Sequence, residues 1–334
     1  MHLKPTFLLF AAVGAILGAA SSAHAFCRTM TGREPGDAQE TNRCTNWKEQ
    51  EQNACCPYGK PLFWRNACVG FSLQKNASRQ VSLSDAERIF KRAFATWTAT
   101  TCSLNGTPVG RVSMDVSYLG VVDCSLVEFN EEAPNQNVIM FRDSGWTHLD
   151  PNATLGLTTV TYNPNTGEIS GADMEINAAQ SKPLSVSDSP PAGSVDLLSI
   201  ATHEAGHFLG FAHSTVSDAT MYATYFGVGM RDLAPDDSTG ICNVYKPDQN
   251  RTTGDGVVRA DKCDPTPAHG YMSQCADHLS IEGGGCALAS GSSRGSEPSP
   301  MPSPLTAALG ALSLVLLRRV RHARGMRMHI DERR

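Results

Sequence analysis

Thr202–Ser214 reads THEAGHFLGFAHS, and the reading of this stretch decides that of the whole chain. His203 and His207 are four apart, so on a helix they project from one face at adjoining turns. Two imidazole nitrogens then come within reach of one metal ion, each seeking about 2.0–2.1 Å to zinc. Glu204 follows the first histidine, close enough to hold a metal-bound water yet turned away from the ligand pair. Gly210 lets the backbone leave the helix, because glycine takes the left-handed conformation without a Cβ clash. The turn it permits would bring His213 round as a third ligand. Three histidines keep the fourth zinc position open for water, as in a catalytic rather than a structural site.

Written as a pattern, the stretch is H-E-x-x-H-x-x-G-x-x-H, and it resembles the metzincin metallopeptidases. These also need a methionine turn below the metal, and Asp218–Tyr225 (DATMYATY) offers Met221 at short range. Ser214 after the third histidine is similar to the matrixins within that clan. So are Tyr222 and Tyr225, although Ala223 stands where the matrixin pattern M-Y-P-x-Y has proline. The resemblance runs from Val69 to about Pro247. It implies an α+β metzincin fold: a mixed sheet with an edge strand for substrate, an active-site helix, a methionine turn and a C-terminal helix. It also implies a zinc-dependent endopeptidase acting on protein or peptide substrates. His203, His207 and His213 would hold the metal, and Glu204 would act as general base on the zinc-bound water. Met221 would pack beneath the metal without ligating it, and Tyr225 would line the pocket for the residue after the cleaved bond. The rival reading is a non-catalytic surface binding or adhesion protein on the same fold; the intact Glu204 and three histidines argue against it.

Outward from the motif, Ser194–Leu209 is expected to form the metal helix, with Ser194 or Asp196 as its cap. Thr154–Tyr162 (TLGLTTVTY) reads as a strand. In matrixins the matching edge strand pairs with extended substrate, which places Leu155 and Gly156 at pairing positions. Asn163–Gly167 reads as a turn, and Ala172–Asn177 as the next strand. Val69–Leu73, Val112–Leu119 and Asn137–Arg142 are further strand candidates. Ser84 and Glu87 have capping-box spacing ahead of Ala86, Ile89, Phe90, Ala93, Phe94 and Trp97, which recur at helical period on one face. Pro235 opens a last helix whose buried face is Ile241, Val244 and Tyr245. Matrixins often carry a second, structural zinc held by histidines. Leu157 and Met174 stand where those would fall, so no structural zinc is expected. Asp150, Asp173 and Glu175 are the carboxylates open to calcium, solvated carboxylates being the commoner case.

The chain ends carry addresses. Met1–Ala25 has Lys4, an apolar Phe7–Ala20 and Ala23-His24-Ala25, the order of a secretory signal; the apolar run is short for a membrane span. Gly283–Cys286, a Ser/Pro-rich 290–304, apolar 305–317 and Arg318, Arg319, Arg321 and Arg324 resemble a myxobacterial C-terminal sorting tail (MYXO-CTERM). That resemblance implies a bacterial source, and recognition by sorting machinery with cleavage near Cys286. The expected division is therefore 1–25 signal, 26–68 cysteine-bearing segment, 69–247 catalytic domain, 248–285 linker and cysteine-bearing tail, and 286–334 sorting tail. A secreted or cell-surface location follows, and in an exported chain the eleven cysteines point to disulfides whose pairing the sequence leaves open. The net charge of −5 becomes more acidic once both addresses are set aside, which argues against nucleic acid as a partner. Residues 26–66 lack any regular apolar period, so cross-links to the body are their expected anchor. They also lack the P-R-C-G-x-P-D motif with which matrixin prodomains cap zinc. A polar linker is expected at 248–256, a local disulfide loop at Cys263–Cys275, and a monomer overall.

Overall fold

The structure is a computed structural model that describes residues 26–32, 55, 59–148 and 152–275, and the backbone of 326–333. The signal segment, Cys44, Cys56, Asp150 and the sorting-tail features from Gly283 to Arg324 lie outside the described residues.

A six-stranded mixed sheet carries the body, in the order β12-β6-β7-β5-β1-β4. Its strands are β1 (Cys68–Gln74), β4 (Asp115–Val122), β5 (Val138–Arg142), β6 (Thr154–Tyr162), β7 (Ile169–Asn177) and β12 (Met326–Arg333). The pairs β4–β1, β1–β5 and β5–β7 are parallel, and β6 is antiparallel to β7. Smaller two-stranded pairs are β2 (Thr101–Leu104) with β3 (Thr107–Arg111), β8 (Leu184–Ser185) with β9 (Val195–Asp196), and β10 (Asn250–Thr253) with β11 (Gly256–Arg259). Three α-helices complete the described body: α1 (Leu83–Thr98), α2 (Leu197–Phe208) and α3 (Pro235–Val244). This is the α+β metzincin architecture that the sequence implied.

α1 buries the six residues picked out by period, Ala86, Ile89, Phe90, Ala93, Phe94 and Trp97. Phe71 of β1 packs on Phe94 with ring centroids 4.9 Å apart, and Phe141 of β5 meets Phe90 at 6.2 Å. The cap differs from expectation. Ser82, not Ser84, accepts from the Asp85 amide, because S-x-x-D at 82–85 and S-x-x-E at 84–87 are competing frames of one motif. Trp97 closes the layer between helices: its indole N–H donates to the Thr202 carbonyl at 2.8 Å, and its ring stacks on Phe211 at 5.3 Å.

Several expectations are corrected. The stretch 248–256 is no linker: β10 pairs with β11, and Arg251 is fully buried. Its guanidinium donates to the carbonyls of Trp64, Asn66 and Ser113 at 3.0, 3.1 and 2.8 Å, so composition alone misjudged it as solvated. Cys263 and Cys275 do not close a local loop; they pair with Cys68 and Cys124. Cys102 pairs with Cys242. Cys27–Cys55 lies inside the N-terminal segment and does not tether it to the body. Among the described residues the tether is backbone pairing: residues 27–31 lie between 60–62 on one side and 210–212 on the other. Asp173 and Glu175 are buried rather than solvated. Asp173 accepts from the Val138 and Glu128 amides, and Glu175 is held by Arg142 at 2.5 Å and His148 at 2.8 Å. Protein donors engage both carboxylates.

One further difference concerns the sheet edge. Antiparallel β12 runs along the outer side of β6, with Met326 opposite Tyr162 and Arg333 opposite Thr154. The side of β6 expected to stand open to substrate is lined by an extended piece of the chain itself. Leu155 and Gly156 fall where that register shifts.

Candidate metal centre

α2 has every residue from Leu197 to Phe208 buried. A helix with no wet face must have each end and each polar side chain satisfied by protein. Of the two expected caps it is Asp196 that serves, accepting from the Ser199 amide at 3.0 Å. Arg231 grips the same carboxylate in two parallel contacts of 2.7 Å, and Asp196 in turn raises the pKa of the guanidinium. At the other end the Trp64 indole donates to the Phe208 carbonyl at 2.8 Å, and the Tyr245 hydroxyl to that of Leu209 at 2.7 Å. Gly210 then turns the chain at φ +93°. A Cβ there would stand 3.0 Å from the Leu62 carbonyl, so the position requires glycine twice over.

That turn brings His213 back to the helix. The ring centroids of His203, His207 and His213 are 4.7, 4.9 and 5.2 Å apart, and one ligating atom from each lies within 4.8 Å of the others. His203 donates from Nδ1 to the Thr220 carbonyl at 2.7 Å, and His207 from Nδ1 to that of Phe211 at 2.8 Å. A carbonyl can only accept, so both rings present Nε2 as a bare lone pair. Those two Nε2 atoms face each other at 3.0 Å. Two lone pairs that close repel unless a cation sits between them, and two ligands of one tetrahedral zinc would be ~3.3 Å apart at normal bond lengths. Burial holds His203 down to about 4 and His207 well below the ordinary value, the latter pushed further by its two neighbours. Neutral imidazole is the ligating form. The donor set fits zinc.

Glu204 is fully buried on α2 against β6. The Thr158 hydroxyl donates to its Oε2. Sequence reasoning missed Thr158, because a threonine in TTVT reads as an ordinary strand residue. Leu155 is buried in the core, while Gly156 lies directly under the Glu204 side chain. Met221 is buried and reaches α2 at Gly206, where any Cβ would overlap its Sδ. Asp237 sets the methionine turn by accepting from the Thr220 and Met221 amides at 2.7 and 3.1 Å. Burial raises its pKa even so. Tyr225 sits at the opposite end of α2 from His207, its hydroxyl accepting from the Asp196 amide at 2.8 Å. The structure thus gathers the three histidines, Glu204, Gly156 and Met221, and fixes Tyr225 at the helix start.

A helix-borne histidine pair, a third histidine after a glycine turn and a methionine turn beneath them define a metalloprotease-type centre on an α+β fold. Residues 63–246 match the Matrixin family, and the chain belongs to it. Among curated proteins it is 26% identical over 199 residues to Metalloendoproteinase 4-MMP of Arabidopsis thaliana, covering 58% of this chain and 51% of that one. It is 44% identical over 69 residues to Interstitial collagenase of Bos taurus, 21% of this chain and 15% of the relative. It is also 45% identical over 51 residues to Karilysin of Tannerella forsythia, 15% of this chain and 11% of the relative. The chain thus spans about half the length of the plant relative and much less of the other two.

Proposed function

We propose that this chain is an exported zinc-dependent endopeptidase that cleaves peptide bonds in protein substrates. The observation that carries the reading is the convergence of two buried, neutral imidazoles and a third, half-buried one beside a buried carboxylate. His203, His207 and His213 would hold the zinc, which when bound polarises a carbonyl and acidifies water. Glu204 takes the proton of the attacking water and returns it to the leaving amine. Leu155 and Gly156 offer backbone to an extended peptide, and the antiparallel seat of β12 on β6 supports this use of the strand. An incoming peptide takes the place β12 holds. Tyr225 orders the stretch that walls the pocket beyond the cleaved bond. The described disulfides fit an oxidising compartment, as expected of a secreted protein with a sorting tail that its machinery recognises.

The test couples zinc content by elemental analysis to hydrolysis of a quenched fluorescent peptide. Glu204→Gln should keep its zinc and lose at least ~10²–10⁴-fold in rate, the usual contribution of a general acid–base group. His207→Ala should lose both zinc and cleavage. Near-normal cleavage by the Glu204→Gln protein rules this mechanism out.

A further inference from the structure

Glu204 carries the proton in the proposed reaction, and its side chain has three rotatable bonds. Something must aim it, because a catalytic group loosened by even ~0.5 Å loses much of its effect. On the helix side its neighbours are histidines that the metal claims. Two residues of β6 also meet its side chain. Thr158 is fully buried, and its hydroxyl donates to Glu204 Oε2 at 2.5 Å. A threonine is stiff about χ1, so the donor has little freedom of its own. Two residues earlier, on the same face of the strand, Gly156 leaves space where a Cβ would meet Glu204 Oε1 at 2.6 Å and its Cγ and Cδ at 2.9 Å. One oxygen is held by a hydrogen bond, and the other lies over ground kept clear by a missing side chain.

We propose that Thr158 and Gly156 are positioning residues that aim the Glu204 carboxylate. The proposal rests on the endopeptidase reading of the site. It gives β6 a second role: the strand that aligns a substrate backbone also aligns the base, so both are registered to one rigid element. Any rotation of α2 against β6 would change both alignments together. A bulkier residue at 156 or a donor-free one at 158 would free the carboxylate to turn, while leaving all three histidines in place.

The test compares Thr158→Val, which keeps the shape and removes the hydroxyl, with Thr158→Ser, which keeps the hydroxyl, and with Gly156→Ala. Zinc content, kcat and KM on a quenched fluorescent peptide are measured for each. A crystal structure of the metal-free Thr158→Val protein reads the carboxylate position independently of activity. Thr158→Val should retain zinc and hold KM within about threefold while kcat falls about ten- to a hundredfold, as for a lost hydrogen bond to a charged group. Thr158→Ser should recover most of that loss, and Gly156→Ala should lower kcat more than it changes KM. An unchanged kcat in Thr158→Val, equal impairment in Thr158→Ser, or a Glu204 carboxylate in its original place would overturn the proposal. Should Thr158→Val not fold, Thr158→Ser and Gly156→Ala decide it by the same kcat criterion. Zinc-free, inactive parent protein sinks the endopeptidase reading, whereas the crystallographic comparison still judges the aiming of Glu204.

Discussion

α1 and α2 lie against each other in one body and obey opposite rules. α1 buries six of its sixteen residues along a single stripe and leaves the rest exposed or half-buried. Its exposed charges need no partner, and its fold is explained by that stripe. α2 is buried throughout, so each polar group on it must be answered by name. Ser199 bonds to Asp196 and to the Gly227 carbonyl, Thr202 to that of Leu198, and His203 and His207 to loop carbonyls. A helix of this kind is held in register by its surroundings. That rigidity is what three converging ligands require, and amphipathicity could not supply it.

Four substitutions or conditions test the contrast, beginning with the largest expected effect. Trp97→Ala removes one of the residues through which α1 fastens α2, and should cost about 3–5 kcal/mol in denaturant unfolding. A loss below about 1 kcal/mol would mean that the helices are held separately. Next comes pH. Burial depresses His203 from 6.5 to about 4, so the folded state binds fewer protons than the unfolded one in that window. The stability of metal-free protein should be full above pH 6.5 and fall by on the order of 3 kcal/mol as pH drops towards 4. A flat profile across that window would show the imidazole to be hydrated. Gly206→Ala pushes a methyl into Met221 Sδ and to 2.7 Å from Trp97 Cζ2, and overpacking of this kind should cost about 1–3 kcal/mol. Smallest of all, Arg92→Ala on the wet side of α1 breaks an exposed pair with Asp188 and should move stability by no more than about 0.5 kcal/mol.

The same contrast explains what the sequence made legible. α1 could be read from period, down to its six buried residues, because one face alone faces the core. α2 has no such period, and was visible through the chemistry of its histidine spacing and the glycine that ends it. β6 has the bounds expected of it, while β7 starts three residues earlier than expected. Thr158 stayed hidden, since nothing local distinguishes a hydroxyl aimed at a carboxylate 46 residues away from one facing solvent. Arg251 stayed hidden for a related reason: its acceptors come from residues 64, 66 and 113, far off along the chain. Cysteine pairing was illegible too, because local spacing says nothing of partners 140 to 195 residues apart.

Those long-range bridges bear on how the chain survives being cut. Cys68–Cys263, Cys102–Cys242 and Cys124–Cys275 all span the interval from 125 to 241. That interval holds β5 to β9, the metal helix, the methionine turn and exposed loops such as 181–183. A single hydrolysed bond anywhere inside it yields two polypeptides that three covalent bridges still join. Such a molecule migrates as one band on an unreduced gel and as two after reduction. A nick within that interval is then a change of connectivity and not a loss of mass.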